Sequence, residues 1–376
     1  MRIALLSQSV DNESGIGRIV LSLARQFQGA GHEVHGLVQR VGVAERPFVV
    51  QKVFSVPFSK GLNKLVYRFG AERALRGSDY DIIHAFGVGR FADVVSAQSC
   101  HRAGIAIMKE HRGSLVSKAN WGVYDRVSLA DERRLLTSPR TKKIIAVSSL
   151  VKNQILEYYR VDSERIEVVP NGVDLSLFAR PRKEEDISES RSALGIPKGR
   201  FVLLFMGNEF GRKGLAVLIR SLATMRDSAL HLLVVGRDDP VPYQHLAHAV
   251  GCLKQITFRG GAVNPERVYS WADAFVLPTL YEPFGMVIVE AMAAGLPVIA
   301  TSHCGAVEGM KHGVHGLYLR NPGDVHELAD QIRNLTLDGA LRDRLAHAGR
   351  EEARGFDWSL VVPRILDVYK SIMQQH

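Results

Sequence analysis

Cysteine is scarce in this chain of 376 residues, which has only Cys100, Cys252 and Cys304. The three are widely separated and no CxxC pair occurs, so the sequence predicts neither a zinc site nor a disulfide framework. A disulfide-rich extracellular domain is therefore excluded, and we expect a protein that works in a reducing compartment.

Long apolar runs are also missing. No segment has 18 uninterrupted apolar residues, so we expect no helix that spans a bilayer. The run Ile3 to Leu6 is too short for a signal peptide, and Asp11 and Glu13 follow it closely. The 46% hydrophobic and 23% charged fractions are typical of globular proteins, and the length suggests two domains. We expect a cytoplasmic location.

Acidic residues are few in the first half of the chain. Residues 1–180 hold 26 Lys and Arg against 17 Asp and Glu, and this excess already equals the net charge of +9 of the whole chain. A basic half indicates an anionic partner such as membrane headgroups, an anionic glycolipid or nucleic acid, unless the charge serves only solubility. No recognition motif for nucleic acid accompanies it, so we expect no nucleic acid partner. The clusters are Arg68/Arg73/Arg76, Arg102/Lys109/Arg112 and Arg133/Arg134/Arg140/Lys142/Lys143.

The first 40 residues have the pattern of a βαβ unit. An apolar strand begins at Arg2, a helix is predicted from about Ile19 to Gln28, and 33–38 is the next strand. The polar loop before the helix carries Gly15 and Gly17, but the third glycine of a GxGxxG fingerprint is missing. No acidic residue follows the second strand, so the sequence does not favour NAD binding.

The second half repeats this alternation. Strands that alternate with helices predict an α/β fold with a doubly wound parallel sheet in each half, which means two Rossmann-like domains. In such folds ligands bind beyond the carboxyl ends of the strands. The predicted strands of the second half are 201–207, 231–236, 256–260, 274–278 and 297–301.

A strand, a turn and a helix meet between residues 274 and 295. Glu282-Pro283-Phe284-Gly285 predicts a turn, and Met286 to Ala294 are mostly helix formers. A helix start presents unpaired N–H groups and the positive end of a dipole, which suits an anion. Glu282 and Glu290 would repel that anion unless they bind hydroxyls, so a nucleotide sugar fits the combination. The alternative is an ordinary strand–turn–helix with a solvated Glu290.

These residues also resemble a known signature. Glu282-Pro283-Phe284-Gly285, with Glu290 eight positions after Glu282, is similar to the motif of retaining GT-B glycosyltransferases of family 4 (glycosyltransferase group 1). The runs 81–84 (Asp-Ile-Ile-His) and 169–174 (Val-Pro-Asn-Gly-Val-Asp) resemble further family motifs. Within the family, the loop 207–214 is most similar to hexosyltransferases of the lipopolysaccharide core.

The resemblance implies a domain organisation. Two Rossmann-like domains would face each other across a cleft. Residues 1–173 would form an N-terminal acceptor-binding domain, and 174–355 a C-terminal domain that binds the nucleotide sugar. The C-terminal helix 356–376 would cross back onto the first domain.

The resemblance also implies roles for site residues. Glu282 would contact the donor sugar, Glu290 the ribose, and Arg212 with Lys213 the donor phosphates; His101 is a fourth catalytic candidate. Where the resemblance places an acid, this chain has Gln98, and an amide cannot act as a general base. The donor-binding candidates are Gly15, Gly17, Gly207, Arg212, Lys213, Gly236, Arg259, Gly260, Glu282, Phe284, Gly285, Met286, Val287 and Glu290.

The adjacent cations Arg212 and Lys213 suit a diphosphate, because arginine offers a fork of donors and lysine a point charge. Together with the N–H groups of Gly285 to Val287 they would neutralise the leaving nucleoside diphosphate. They would take the place of a metal ion. We also interpret the sequence as lacking the Asp-x-Asp motif of the metal-dependent transferases, so we predict no metal and no cofactor beyond the donor itself.

The function implied is transfer of a sugar, with retention, from a UDP-hexose to a glycan or glycolipid, with lipopolysaccharide core as the expected acceptor. The protein would work at the anionic inner face of the cytoplasmic membrane as a peripheral protein, bound through its basic N-terminal domain. One alternative is a nucleotide-sugar 2-epimerase, which would consume donor without an acceptor. Another is a non-catalytic glycan- or membrane-binding protein, against which the intact Arg212, Lys213, Glu282 and Glu290 argue.

Overall fold

The chain forms two compact units in a computed structural model. The structure describes residues 1–11, 14–43, 48–56, 59–110, 122–178, 184–262 and 264–374. The first unit comprises Met1–Ala106, Ala119–Gly172 and Trp358–His376, and the second comprises Ile107–Lys118 and Val173–Asp357. No helix within the described ranges is long and apolar enough to cross a membrane.

Each unit is built on a parallel β-sheet. The seven-stranded sheet of the first unit has the order β5-β3-β1-β6-β7-β8-β9, β2 and β4 form a small separate pair, and the six-stranded sheet of the second unit has the order β12-β11-β10-β13-β14-β15. The strands are β1 (Arg2–Leu6), β2 (Ser9–Asp11), β3 (Glu33–Val38), β4 (Arg40–Gly42), β5 (Val49–Lys52), β6 (Ile82–Ala85), β7 (Val94–Ala97), β8 (Lys143–Ala146), β9 (Ile166–Val168), β10 (Phe201–Met206), β11 (Leu230–Val235), β12 (Ile256–Gly260), β13 (Ala274–Val276), β14 (Val298–Thr301) and β15 (Leu317–Leu319).

Helices connect most successive strands, as parallel pairing requires. They are α1 (Gly15–Gly29), α2 (Lys60–Leu75), α3 (His101–Glu110), α4 (Val123–Thr137), α5 (Ser149–Tyr158), α6 (Leu175–Phe178), α7 (Glu184–Ala193), α8 (Leu215–Met225), α9 (Val241–Ala249), α10 (Pro265–Val268), α11 (Met286–Ala293), α12 (Val325–Leu337), α13 (Gly339–Ala353) and α14 (Trp358–Met373).

The strand order reverses once in each sheet. In the second unit, β11 and β12 lie on one side of β10, and β13 to β15 lie on the other. This is the doubly wound arrangement, in which ligands bind beyond the carboxyl ends of the strands where the order reverses. The predicted α/β fold with two parallel sheets is therefore confirmed. In the second unit, the loops that leave β10 and β13 flank this reversal point.

The cores follow from the sequence pattern. The central strands are near-continuous apolar runs because helices cover both faces of a parallel sheet; β11 is buried along its whole length. In the first unit the last helix, α14, packs against that unit's core. Its Tyr369 hydroxyl is 2.6 Å from Nδ1 of the fully buried His84, and the Nε2 of His84 is 2.8 Å from the Ser96 hydroxyl.

One local prediction was wrong. The helix predicted from Ile19 begins at Gly15, because the Ser14 hydroxyl caps it by accepting the N–H of Gly17 at 3.0 Å. Within the polar run 180–191, residues up to 183 lie outside the described part of the chain, and the run is helical from Glu184. None of the residues of α7 is buried, so its polar sequence reflects exposure.

Candidate active site

The loop that leaves β10 carries two of the predicted catalytic residues. β10 ends at Met206, and Gly207 follows with a φ of 139°. A Cβ at Gly207 would lie 2.6 Å from Cε of Lys213, so only glycine leaves room for the lysine stem at this strand end. The Lys213 side chain is 9% exposed as a result, which is unusual for a lysine unless its charge is paired.

Glu282, in the loop after β13, supplies that pairing. Its Oε2 accepts a hydrogen bond from Lys213 Nζ at 2.6 Å and one from Arg212 Nη1 at 3.3 Å. Burial alone would raise the pKa of Glu282, but Lys213 and Arg212 outweigh it and hold this pKa below its ordinary value. Burial also opposes the charge on Arg212, but Glu282 and Glu209 raise the pKa of its guanidinium overall. Glu282 and Arg212 are therefore ionised at neutral pH.

The turn that carries Glu282 is fixed by the loop after β14. The backbone N–H of Glu282 donates to His303 O at 3.0 Å, and the N–H of Gly305 donates to Glu282 O at the same distance. The buried thiol of Cys304 donates to Phe284 O at 2.8 Å. Three neighbouring strands of the sheet, β10, β13 and β14, thus position one cluster of charged side chains.

Helix α11 begins directly after this turn. Gly285 is its N-terminal cap. Its φ of 100° is unfavourable for any residue with a side chain, so glycine suits this position. Phe284 is 4% exposed and packs edge-on against Phe356, with 5.7 Å between ring centroids. Met286 and Val287 are half-buried in the first turn. The helix start predicted as an anion site is therefore next to Glu282 in the chain.

Glu290 lies in the middle of α11 and is 1% exposed. Its Oε2 accepts a 2.5 Å hydrogen bond from the hydroxyl of Tyr269, which is fully buried. The alternative of a solvated Glu290 is wrong, since a carboxylate in this position is removed from water and needs a polar partner. Its proposed contact with ribose stays a prediction.

The glycines predicted at the donor site meet at the carboxyl ends of β10, β11 and β12. Gly236 N donates to Gly260 O at 3.0 Å, and a Cβ at Gly236 would lie 2.2 Å from Gly207 O. The guanidinium of Arg259, at the end of β12, lies 5.1 Å from the ring centroid of Trp271, which is a cation–π distance.

Gly15 and Gly17 lie in the first unit, in the first turn of α1. The N–H of Ser14 donates to Asp11 Oδ1 at 2.6 Å, and a Cβ at Gly17 would lie 2.9 Å from that oxygen. Gly15 is exposed. Glycine at position 17 therefore leaves room for the Asp11 side chain at the start of this helix.

His101 is the first residue of α3, and α4 holds it in place. Its Nε2 is 3.1 Å from Asp125 Oδ1, and its backbone N–H donates to Glu132 Oε1 at 2.5 Å. Its side chain is 31% exposed. The nearby Gln98 forms a reciprocal amide pair with Asn171, with N–O distances of 3.1 and 2.9 Å, so both of its polar atoms are engaged. We predicted neither Asp125 nor Glu132, and no sequence spacing marks them.

Among the described residues, no group of three His, Cys, Asp or Glu side chains is placed to hold a metal ion. The chain does contain an Asp-x-Asp triplet, at Asp79-Tyr80-Asp81. Asp79 pairs with the guanidinium of Arg2, and Asp81 accepts the backbone N–H of Arg2 at 2.7 Å. This triplet therefore binds a cationic residue of β1.

Some of the basic clusters are partly neutralised. Arg68 of α2 lies 3.4 Å from Asp131 of α4, a buried carboxylate that Arg134 also approaches at 3.8 Å. Arg76, the residue directly after α2, lies 3.6 Å from Glu72. In the cluster Arg102/Lys109/Arg112, Arg112 lies outside the described residues.

Two further residues of the second unit were missed by sequence reasoning. Glu209 binds Arg212 through one carboxylate oxygen, at 2.9 Å from Nε and 2.7 Å from Nη2. Its position three residues before Arg212 was the available signal. Tyr269, the partner of Glu290, is 21 residues away in sequence and had no such signal.

Comparison with known proteins decides the family. The family model described as glycosyl transferases group 1 matches residues 186–352, and the one described as glycosyltransferase family 4 matches residues 14–177. D-inositol 3-phosphate glycosyltransferase 1 of Catenulispora acidiphila is 30% identical over an alignment that covers 96% of this chain and 91% of that protein. The chain belongs to the group 1 glycosyltransferases of family 4.

Other relatives of this glycosyltransferase agree. The phosphatidyl-myo-inositol mannosyltransferase of Mycobacterium leprae is 26% identical, with 99% of this chain and 97% of that protein covered. Among solved structures, WaaG, a glycosyltransferase involved in lipopolysaccharide biosynthesis, superposes with a TM-score of 0.82 at 23% identity over 98% of this chain and 99% of that one. HepE of Anabaena in complex with UDP-glucose gives 0.77 at 22% identity, over 99% and 100%. These structures confirm the GT-B fold.

Proposed function

We propose that this glycosyltransferase moves a sugar from a nucleoside diphosphate donor to an anionic glycan or glycolipid, with retention at the anomeric carbon. The observation that carries the proposal is the cluster of Arg212, Lys213 and Glu282 at the carboxyl ends of β10 and β13. These three charged side chains are held in a mostly buried position where the strand order reverses. Buried charges of this kind are costly to keep and mark functional sites.

The proposed main catalytic effect is stabilisation of the leaving diphosphate. As the glycosidic bond breaks, negative charge grows on the phosphate, and Arg212, Lys213 and the first N–H groups of α11 would meet it. Glu282 would then contact the donor sugar and Glu290 the ribose. These fixed cations would supply the charge that a metal ion supplies elsewhere, so we propose that no metal takes part.

For the donor we propose a UDP-hexose. HepE, which shares the fold at 22% identity, was solved with UDP-glucose, and this supports UDP as the first nucleotide to test. The loop Gly207–Gly214 resembles that of hexosyltransferases, which favours a hexose as the transferred sugar.

For the acceptor we propose a molecule that bears phosphate or another anionic group. The relatives are named for D-inositol 3-phosphate and for phosphatidyl-myo-inositol, and the sequence resemblance points to the lipopolysaccharide core. All three acceptors carry phosphate. The excess of 26 basic over 17 acidic residues in 1–180 suits such an acceptor and an anionic membrane surface.

A two-step experiment tests the proposal. Thermal shifts with UDP-, GDP- and ADP-sugars identify the donor, because stabilisation follows affinity. The best donor is then incubated with lipopolysaccharide core, D-inositol 3-phosphate or phosphatidylinositol vesicles, and NMR reads the anomeric configuration of the product. A retained linkage to one of these is expected. Donor consumption that yields a new nucleotide sugar without acceptor would show an epimerase, and donor binding with no turnover would show a non-catalytic protein.

A further inference from the structure

The guanidinium of Arg212 is engaged on every nitrogen in the structure. Nε and Nη2 both donate to Glu209 Oε2, at 2.9 and 2.7 Å. Nη1 donates to Tyr281 O and to Glu282 Oε2. A guanidinium has five N–H donors in a fixed plane. A diphosphate that binds Arg212 as a fork must therefore displace one of these acceptors.

Glu209 is the acceptor that can leave. Glu282 is 12% exposed as a side chain and also holds Lys213, and Tyr281 O belongs to a residue that is 4% exposed. The Glu209 side chain is 66% exposed, so water can take over its carboxylate when it moves. Of the three acceptors of Arg212, Glu209 is thus the one whose contact is easiest to break.

Hydrogen bonds on both sides of Glu209 anchor the backbone of this loop. Phe210 is 2% exposed, and its N–H donates to Asp238 Oδ2 at 2.7 Å. The N–H of Lys213 donates to Glu209 O at 3.0 Å. Glu209 itself has a φ of 60°, in the left-handed region where residues other than glycine are uncommon. The loop thus holds a carboxylate against Arg212 in a conformation that this residue type does not favour.

We propose that Glu209 is a built-in counter-ion of the diphosphate subsite, and that donor binding exchanges its carboxylate for phosphate oxygens. The inference rests on the proposed function. With Glu209 and Glu282 in place, the charges of Arg212 and Lys213 are balanced. When Glu209 swings into solvent, one positive charge becomes available to the diphosphate. Glu209 therefore lowers the affinity for donor and product alike by competing for the same side of Arg212.

This competition can be measured. The apparent affinity for the diphosphate equals the intrinsic affinity multiplied by the fraction of molecules in which Glu209 has left Arg212. Glu209→Gln keeps the size of the side chain and removes its charge. It should bind UDP, or whichever of UDP, GDP and ADP the parent binds, roughly two- to fivefold more tightly, as expected for a partly exposed ion pair. The corresponding nucleoside, which has no phosphate, should bind both proteins equally.

Asp330→Asn is the matched control. Asp330 is an exposed carboxylate of α12 that pairs with Arg333 three residues later, at 2.5 Å, so its loss changes the net charge by the same amount. Its affinity for the nucleoside diphosphate should equal that of the parent in calorimetry at low salt. Glu209→Gly, a residue suited to the positive φ, should reproduce the gain and guards against a folding defect in the glutamine variant.

The outcomes separate this inference from the proposed function. A parent that binds a nucleoside diphosphate, with Glu209→Gln and Glu209→Gly no better than Asp330→Asn, overturns the exchange alone. Weaker binding by both Glu209 variants also overturns it and makes Glu209 a residue that orients Arg212 for the phosphate. If neither the parent nor any variant binds UDP, GDP or ADP, the proposed function fails and the inference fails with it.

Discussion

The hydroxyl of Tyr269 donates a 2.5 Å hydrogen bond to the carboxylate of Glu290, and both residues are almost entirely buried. This pairing gives Glu290 a partner inside the second unit. A carboxylate has about four acceptor positions, so the bond from Tyr269 does not by itself exclude contacts with hydroxyls. The contact is therefore compatible with a role in binding ribose, and it makes that role testable with two variants.

Glu290→Ala should weaken nucleotide binding. A hydrogen bond to a charged group is worth roughly 1.5–3 kcal/mol, so the affinity for the free nucleoside diphosphate should fall about tenfold or more. Tyr269→Phe is the control: it keeps the carboxylate and should retain most of the affinity, while the melting temperature falls because a buried acceptor loses its donor. Calorimetry that gives Glu290→Ala the affinity of the parent would remove Glu290 from the ribose site.

Stability should fall as the pH falls below about 6.5, and His84 should be a main cause. Burial lowers the pKa of His84 to about 3. In the unfolded chain this histidine takes up a proton near pH 6.5, whereas in the folded protein it stays neutral down to about pH 3. Between these limits the unfolded state binds more protons, so the free energy of unfolding falls by up to about 1.4 kcal/mol per pH unit on acidification.

Urea unfolding at pH 7.5 and pH 5 measures this effect. His84→Asn should lose part of the pH dependence. Tyr369→Phe should lose stability at both pH values but keep the dependence, since His84 remains buried. His231, whose pKa burial lowers to about 4, should supply much of the remainder. An unchanged slope in His84→Asn would show that the His84 site is open to protons in the folded state.

The sequence predicted the positions of many strands and helices but few of the side-chain contacts between them. The strands at Glu33–Val38 and Ile256–Gly260 lie where the sequence pattern placed them. The start of α1 was misplaced because glycines in a helix look like a loop, and only the Ser14 cap shows otherwise.

The contacts of the candidate site could not be predicted because they join residues that are distant in the chain. Lys213 and Glu282 are 69 residues apart and meet only because β10 and β13 are neighbours in the sheet. The resemblance assigned these two residues to different parts of the donor, so their direct ion pair was not expected. Sequence patterns give the ends of strands, whereas side-chain pairing depends on strand order.

The basic first half should bind anionic vesicles reversibly, and the binding should weaken steeply with salt. Arg73 of α2 and Arg133 of α4 are exposed cations on two helices of the first unit. Reversing both to glutamate should lower vesicle binding by about tenfold or more, at roughly 1 kcal/mol per basic residue near the surface. The matched control reverses Arg220 and Arg226, which are exposed on the second unit, and should bind as the parent does. If equal amounts of protein sediment with neutral and with anionic vesicles, the positive charge does not bind membranes and only solubility explains it.

Replacing Arg212 and Lys213 together by alanine should reduce turnover more than donor binding, because their benefit grows as charge builds on the leaving phosphate. One electrostatic donor of this kind is worth roughly 10²–10³ in rate, so the double variant should be nearly inactive at saturating donor. The double variant also leaves Glu282 buried without the two cations that keep it ionised. An unpaired buried carboxylate can lower the free energy of unfolding by several kcal/mol. Adding Glu282→Gln to the double variant removes that carboxylate and should restore the melting temperature without restoring turnover. The Glu282→Gln single variant serves as the reference for turnover.

Activity of the parent should survive EDTA, since the proposed cations and the amides at the start of α11 act in place of a metal. Magnesium added back should not raise the rate. Loss of activity in EDTA, restored by magnesium or manganese, would instead require a metal that neutralises the diphosphate. In that case the residual turnover of Glu282→Gln tests whether this carboxylate binds the metal or only the sugar. Turnover of parent and variant at graded metal concentrations distinguishes the two, because a carboxylate that binds the metal shifts the midpoint of activation, whereas one that binds only sugar does not.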